Sequence, residues 1–296
     1  MFSKKLNLVL AASLMLAACG NNAFSSIADK NSSAAKKEEA QIAINNGNYD
    51  TAITIMAGKC PNQTCTTKSD TQQYAAAYMG RAGLDVLTVA KNADSSKNST
   101  ASSSDFAVIS KGLPNPTAAN LNDIAAAIAI LNNSKTAVGL KPESAAKAAQ
   151  STAQTCGTYN NEQKDVLLQL GISQATATIL AIGSQLHGFD ANGIPVDCNG
   201  NCTTAALSPL NAAYTAPDGT VTTYAAFAAN NLIAAATNLS CAFSTDNTTA
   251  SAINDLAYSV EKHTAGNAST CQQTAPAGFV PVITGAEVVS YLSTCL

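Results

Sequence analysis

Apolar residues recur along most of the chain at every third or fourth position, the spacing of one face of an α-helix. The clearest stripe lies in residues 71–93 and predicts one long helix. Its members are Ala75, Met79, Ala82, Val86 and Val89. Gly80 and Gly83 also fall in this segment, and each costs ~1 kcal/mol relative to alanine inside a helix. Close approach of a neighbouring helix would explain both glycines.

The same periodicity predicts a series of further helices. They cover residues 33–45, 50–59, 121–131, 144–154, 162–170, 173–186, 222–239, 249–263 and 285–295. Gly171 is expected to break the long apolar segment into two helices, and Thr284 with Glu287 forms a capping box at the start of the last one. No convincing alternating strand pattern appears, and Pro281 weakens the nearest one at residues 278–284.

The pattern therefore predicts an all-α fold, built as an irregular multi-helix bundle or an array of helical hairpins and braced by disulfides. We assign residues 33–296 to this helical domain, with a candidate sub-boundary at the Ser-rich loop 95–104. Tryptophan is absent and aromatic residues make up only 5% of the chain. The core must then consist mostly of Ala, Leu, Ile and Val, and small side chains bury little area each. Such a core needs additional support.

Cysteines are predicted to supply that support. Of nine cysteines, eight remain when Cys19 is set aside, and an even number in an exported protein indicates disulfides. Turn residues between close cysteines favour the pairs Cys60–Cys65 and Cys198–Cys202. A returning helix would pair Cys241 with Cys271, which leaves Cys156 with Cys295.

Cofactor and metal motifs are missing from the sequence. There is no C-x-x-C-H, no C-x-x-C, and neither His187 nor His263 is near a close cysteine pair, so we expect no metal and no cofactor. The stripe of residues 249–263 places His263 at a helix end. Asp190, Asn192 and Asp197 could offer oxygen ligands to calcium, but their spacing fails the EF-hand rule. A turn-rich loop stapled by Cys198–Cys202 is the favoured interpretation.

Catalytic motifs are also missing, and we expect a protein that is not an enzyme. Neither G-x-S-x-G nor a phosphate-binding loop occurs. Ser184, His187 and Asp190 are three residues apart, which places them along one helix end rather than in a converging triad. Spacing alone does not decide on a two-carboxylate glycosidase, although acidic residues are sparse. The formal net charge of −3 comes without a basic patch, so nucleic acid is not expected as a partner.

The first 19 residues predict where the protein resides. Lys4 and Lys5 precede an apolar run at 6–18 that is too short to span a bilayer and is typical of a signal peptide. Leu16-Ala17-Ala18-Cys19 resembles the lipobox of bacterial lipoproteins at all four positions. The resemblance implies that residues 1–18 are removed and that Cys19 carries two or three fatty acyl chains such as palmitate, enough for stable membrane anchoring. An ordinary signal peptide with a chance cysteine is the alternative.

The residues after Cys19 refine this expectation. Residues 19–32 are polar and suit a flexible tether. In Gram-negative lipoproteins an aspartate after the lipidated cysteine tends to retain the protein at the inner membrane, and this chain has Gly20 there. The resemblance therefore favours the outer membrane within the cell envelope, on its periplasmic or surface face.

A second resemblance lies in residues 40–57, AQIAINNGNYDTAITIMA, which look like one tetratricopeptide repeat. In that family Gly47 would open the turn, Tyr49 would pack between helices, and Ala40 and Ala52 would lie where the helices cross. No second clean copy follows at about 34 residues, although solenoids of this type need at least three repeats.

Two functions are compatible with these features. The first is a lipid-anchored scaffold that holds another envelope protein, since tetratricopeptide-type lipoproteins typically assist assembly or transport complexes. The second is a transporter-accessory lipoprotein that binds a small molecule in a pocket between helices, because the helical lipoproteins that accompany some transporters resemble this chain in build.

Overall fold

The computed structural model describes residues 31–84, 105–110, 113, 115–133, 156, 159–199, 201–243 and 248–296. The regular elements in these ranges are α-helices, one two-stranded sheet and short 3₁₀-helices at Pro61–Gln63, Val196–Cys198, Ser208–Asn211 and Ala268–Thr270. The helices are α1 (Ser33–Asn45), α2 (Tyr49–Lys59), α3 (Lys68–Arg81), α4 (Asp105–Ser110), α5 (Ala118–Asn133), α6 (Asn161–Gln185), α7 (Tyr224–Ala242), α8 (Thr248–Lys262) and α9 (Gly285–Cys295). The strands are β1 (Ala213–Thr215) and β2 (Val221–Thr223).

The helices pack in series, so that the all-α prediction is confirmed. Helix α2 packs on α1 and α3, and α5 packs on both α3 and α6. Helix α7 lies along α6 in the most extensive contact between any two helices, and it also packs on α8 and α9. One cluster of buried apolar side chains runs through the series from Ala40 in α1 to Leu292 in α9.

Helices α1 and α2 pack together as a hairpin. Gly47 has a left-handed φ of 74°, and its N–H donates to the Ile44 carbonyl while the next N–H, of Asn48, donates to Ala43. This pair of bonds is a Schellman motif, which satisfies the carbonyls at the end of α1. Ala40 and Ala52 are fully buried, and the ring of Tyr49 lies against Gly80 of α3. A methyl group at Gly80 would overlap this ring, so close approach of a neighbouring residue explains that glycine.

The single long helix predicted for residues 71–93 is wrong, because α3 ends at Arg81. Gly83 has a φ of 77°, its N–H donates to the Gly80 carbonyl, and the N–H of Leu84 donates to Met79. These two bonds form a second Schellman motif, and the buried Leu84 provides the apolar contact that accompanies it. Val86 and Val89 lie outside the described residues.

The break predicted at Gly171 is also wrong, because α6 is continuous from Asn161 to Gln185. A Cβ atom added at Gly171 would lie 2.6 Å from Cγ of Leu239 on α7. Glycine at this position lets the two longest helices approach closely without ending the hydrogen-bonded ladder. Polar side chains inside the contact are paired, since Asn238 Nδ2 donates to Gln174 Oε1 over 2.7 Å and the Thr178 hydroxyl donates to the Ala228 carbonyl.

A β-hairpin occurs that the periodicity did not predict. Ala213 pairs with Thr223 and Thr215 with Val221 in antiparallel register. Gly219 turns the loop with a φ of 83°. Strands of three residues are too short for a period of two to be recognised, and Asp218-Gly219 is the signal that could have indicated the turn.

Several predictions fall on residues that the structure does not describe. They are the signal peptide at 1–18, the lipidation site Cys19, residues 19–30 of the tether, the loop at 95–104 and the helix at 144–154.

Four disulfides brace the helices, two of them as predicted. Cys60 bonds to Cys65 and Cys198 bonds to Cys202 across short turns, with Cα atoms 4.4 and 4.3 Å apart. The long-range predictions are wrong. Cys156 bonds to Cys241 and Cys271 bonds to Cys295, instead of Cys241 to Cys271 and Cys156 to Cys295.

Helix packing explains the observed long-range pairs. Helices α6 and α7 run antiparallel, since Gly171 in the first half of α6 faces Leu239 near the end of α7, while Thr178 further along α6 reaches Ala228 near the start of α7. The first half of α6 is therefore directed toward the end of α7, where Cys241 is located. Helix α9 brings Cys295 back to Cys271. The prediction considered only the helix between Cys241 and Cys271 and did not take α9 into account.

Candidate functional site

A cleft lies between the end of α7, helix α8 and the loop of residues 272–284, and it is here called the α7–α8 cleft. Its volume is about 440 Å³, within the ~300–1,000 Å³ typical of small-molecule sites. The residues that matter for its chemistry are Ser240, Phe243, Asn254, Asp255, Pro276 and Phe279.

The loop wall of the cleft is held by the polar face of α8. The Asp255 carboxylate accepts the N–H of Ala275 over 2.8 Å, and the Ser259 hydroxyl oxygen accepts the N–H of Gln273 over 2.8 Å. Further along, Glu261 accepts the N–H of Val282 over 2.7 Å. These contacts satisfy backbone donors of a segment that has no strand partner. The wall is thus fixed by side-chain acceptors rather than by secondary structure.

The polar wall of the cleft contains an unsatisfied acceptor. Asn254 Nδ2 donates to the Ser240 hydroxyl oxygen over 2.7 Å, which orients the amide. Its Oδ1 is buried and has no hydrogen-bond partner among the described residues. A buried carbonyl oxygen left without a donor costs roughly 1–3 kcal/mol.

Two disulfides frame the cleft. Cys156 lines it and is bonded to Cys241 at the end of α7. Cys271, bonded to Cys295, fixes the chain just before the loop wall, and the Tyr291 hydroxyl donates to the Cys271 carbonyl over 3.1 Å. Both bonds join segments that meet only in the folded protein, so they help to define the shape of the cleft.

A second, smaller depression of about 210 Å³ lies beside the loop that follows α6. His187, Asp190 and Ser110 are among its lining residues. His187 is 79% exposed at its side chain, and its Nδ1 lies 2.8 Å from Oδ2 of Asp197. The Ser110 hydroxyl donates to the Gly193 carbonyl over 2.9 Å. This hydrogen bond holds the loop that follows α6 against the end of α4.

Ser184, His187 and Asp190 do not form a catalytic triad. Ser184 donates to the carbonyl of Ala181 in its own helix, and His187 pairs with Asp197 rather than with Asp190. Asp190 accepts the backbone N–H groups of Ile194 and Asn192, and these bonds lower the pKa of its carboxyl group.

The same contacts bear on the calcium alternative, because the oxygens of Asp190 and Asp197 are used by neighbouring protein groups. In the described part of the chain no three His, Cys, Asp or Glu side chains lie close enough together to hold a metal ion. The second histidine, His263, follows directly on the end of α8. Its Nδ1 faces the Val260 carbonyl at 2.7 Å and therefore carries the proton, and its Nε2 lies 2.8 Å from the Ser290 hydroxyl.

One helix of the described residues, α6, is long and apolar enough to cross a membrane by length and composition. In the fold, 89% of its most apolar window is buried against other helices. The central helix of a water-soluble bundle passes the same test, so this feature alone is weak evidence for a membrane span.

Comparison with known proteins does not identify a family for this chain. The chain matches no protein-family model, no curated protein and no solved structure. The site therefore has to be interpreted from its own geometry.

Sequence reasoning identified α8 by its apolar stripe and missed the residues on its other face. Asn254 and Asp255 lie next to the stripe residues Ile253 and Leu256, and their role depends on a loop that follows about 20 residues later. The concentration of polar residues on one side of α8 was the available signal. It indicates a solvated face as readily as a binding wall.

Proposed function

We propose that this protein is a lipid-anchored cell-envelope lipoprotein whose helical body is a non-enzymatic scaffold for another envelope component. The lipobox-like Leu16-Ala17-Ala18-Cys19 carries the proposal. Fatty acyl chains on Cys19 would attach the protein to the lipid of the membrane. Four disulfides support an oxidising compartment, since such bonds are rare in proteins of the cytosol.

The tether limits how far the body can be from its anchor. Helix α1 begins at Ser33, so 14 residues separate the fold from the signal peptide. A fully extended tether would reach at most about 50 Å. A partner of the scaffold would therefore lie close to the same membrane, with the outer membrane favoured by Gly20.

The anchor is tested by metabolic labelling with a palmitate analogue and by mass spectrometry of the mature amino terminus. Cys19→Ala should abolish labelling and release the protein from the membrane fraction, while Cys60→Ala together with Cys65→Ala should leave labelling unchanged. Persistent labelling of Cys19→Ala would contradict the assignment.

The scaffold role is tested by crosslinking intact envelopes and purifying the protein from them. We expect one partner in stoichiometric amount, and its recovery should fall for Cys19→Ala because that variant no longer concentrates at the membrane. Recovery that is independent of the anchor would count against a scaffold acting at the membrane.

The α7–α8 cleft favours a second candidate, a transporter-accessory lipoprotein that binds a small molecule. Its volume of about 440 Å³ and its aromatic and polar lining residues support this candidate. A screen of metabolites by thermal unfolding tests this function, since a ligand that binds only the folded state raises the unfolding temperature. Absence of any stabilising compound, together with a stoichiometric protein partner, would leave the scaffold role.

A further inference from the structure

The disulfide between Cys156 and Cys241 differs from the other three in its exposure to solvent. Of the eight bonded cysteines, which all lie in the described residues, five are buried and two, Cys241 and Cys295, are half-buried. Cys156 is exposed. The rate at which a thiolate attacks a disulfide depends on its access to a sulfur atom. The bond made by Cys156 is therefore the one that a thiol in solution reaches most easily.

The two cysteines of this bond have different surroundings. Cys241 lies in the last turn of α7 and packs against the apolar core. Cys156 lines the α7–α8 cleft. Which of the two sulfur atoms is attacked decides which one leaves. The difference in access directs attack to Sγ of Cys156 and makes the sulfur of Cys241 the leaving group.

Cleavage of this bond would keep the other contacts that shape the cleft. The loop wall is held by Cys271–Cys295 and by the bond from the Ala275 N–H to Asp255, and neither contact passes through Cys156. Helices α6 and α7 also remain packed along their length. Reduction would therefore free residue 156 from the end of α7 while the rest of the fold persists.

We propose that Cys156–Cys241 is a site of thiol–disulfide exchange, at which a dithiol reduces this bond and leaves the other three disulfides intact. A thiolate of the dithiol attacks Sγ of Cys156, the bond to Cys241 breaks, and Cys241 leaves as a thiolate that takes up a proton. The second thiolate of the reductant then attacks the reductant's own sulfur in the mixed disulfide and releases Cys156, which takes up the other proton. The reductant loses two electrons and two protons, and the cystine gains them. This inference does not depend on either function proposed above.

The order of reduction in the unaltered, full-length protein tests the proposal. The oxidised protein in detergent is incubated at neutral pH with dithiothreitol or with the dithiol protein thioredoxin, and samples are stopped with acid at intervals. Free thiols are alkylated under denaturing conditions with N-ethylmaleimide. The remaining disulfides are then reduced and alkylated with the deuterated reagent, and each cysteine is quantified by mass spectrometry.

We expect Cys156 and Cys241 to be reduced about tenfold or more faster than the other six bonded cysteines, because access to those is more restricted. Near-UV circular dichroism should stay close to that of the oxidised protein over the same interval. Selective reduction by both reagents would support a protein dithiol as the reductant, and selective reduction by dithiothreitol alone would support a small one.

A trapping experiment locates the attacked sulfur. Thioredoxin in which the second active-site cysteine is replaced by serine cannot complete the exchange, so the mixed disulfide persists. We expect a covalent complex that is joined through Cys156. Cys156→Ala together with Cys241→Ala should abolish the complex, whereas the matched control, Cys60→Ala together with Cys65→Ala, should leave its yield unchanged.

Several outcomes would overturn the proposal. They are reduction of all four disulfides at one rate, earlier reduction of Cys271–Cys295, no reduction of Cys156–Cys241 by either reagent, and a trapped complex joined through Cys241. Loss of the near-UV signal together with the first reduced bond would also overturn it, because reduction would then follow unfolding of the protein. The measurements on the unaltered protein decide the matter even if the variant that lacks Cys156 and Cys241 does not fold.

Discussion

The two ends of the helical series are held together by different means. Helix α1 is joined to α2 by a tight Schellman turn, and α2 is linked to α3 by the Lys59–Asp70 ion pair and by Cys60–Cys65, whose cysteines are five residues apart. Around α7 to α9, disulfides link segments 85 and 24 residues apart, and a long loop is bound to α8 by side chains. The first end is specified locally and the second by contacts that exist only after folding. The cleft lies at the second end.

The largest expected effect concerns the long-range disulfide at the cleft. Replacing both Cys156 and Cys241 by alanine should lower the free energy of unfolding by about 4–5 kcal/mol, because this bond closes the longest loop in the unfolded chain. The same change at Cys60 and Cys65 should cost only about 2 kcal/mol. Guanidinium unfolding of the three proteins gives both values. Equal losses of unfolding free energy would mean that the long-range disulfide does not stabilise its end of the protein more than the short one does.

The second prediction concerns a charged contact at the first end. Lys59 Nζ lies 2.8 Å from Asp70 Oδ1, with both side chains only about a tenth exposed. Burial acts to raise the pKa of Asp70, but hydrogen bonds from Lys59 and Thr67 outweigh it, so the pKa falls below 3.8. Asp70→Asn should cost about 2–3 kcal/mol at neutral pH, since it leaves Lys59 without its counter-charge.

The pH dependence of this cost has a definite sign. A carboxyl group whose pKa is lowered by folding contributes stability above its unfolded pKa of 3.8 and loses it as the pH falls through the folded value. The free energy of unfolding, measured in urea, should therefore differ less between the unaltered protein and Asp70→Asn below pH 3.8 than at neutral pH. Asp50→Asn, whose side chain is 84% exposed, is the control and should show a much smaller difference. A cost that does not change with pH would exclude the ion pair as its source.

A third prediction compares two helical glycines. Gly171→Ala would place a methyl group 2.6 Å from Leu239 Cγ, and we expect a loss of about 2 kcal/mol as α6 and α7 are pushed apart. Gly58→Ala in α2 meets nothing within 4 Å and should stabilise the protein by up to about 1 kcal/mol. Thermal unfolding separates the two effects. If Gly171→Ala were also stabilising, α6 and α7 would not be in the close contact described.

These differences explain which features were predictable from the sequence. The boundaries of α1 and α2, the capping box of Thr284 and Glu287, and the two short disulfides all depend on residues within a few positions of each other. Local propensity and turn chemistry therefore suffice for them. The end of α3 is also local, but its signal, Gly83 after Ala82, was outweighed by an apolar stripe that continues at helical spacing.

The remaining features depend on partners far away in the sequence. Gly171 has the composition of a helix breaker, and only the approach of Leu239 shows why it lies inside α6. Cys241 has several possible partners until the antiparallel packing of α6 and α7 places Cys156 beside it. The cleft depends most strongly on residues that are distant in the sequence. Its loop wall has no periodicity, and the acceptors that hold it belong to a helix whose pattern predicts only an apolar face.

The smallest expected effect tests whether surface charge contributes to the series of helices. Lys68 at the start of α3 lies 3.1 Å from Asp165 on α6, and the Asp165 side chain is 61% exposed. Lys68→Met should change the free energy of unfolding by about 0.5 kcal/mol or less, since solvent and salt screen such a pair. Unfolding in low and high salt should give nearly the same small difference. A loss near that of Asp70→Asn would mean that α3 and α6 are joined by charge and not by the apolar core between them.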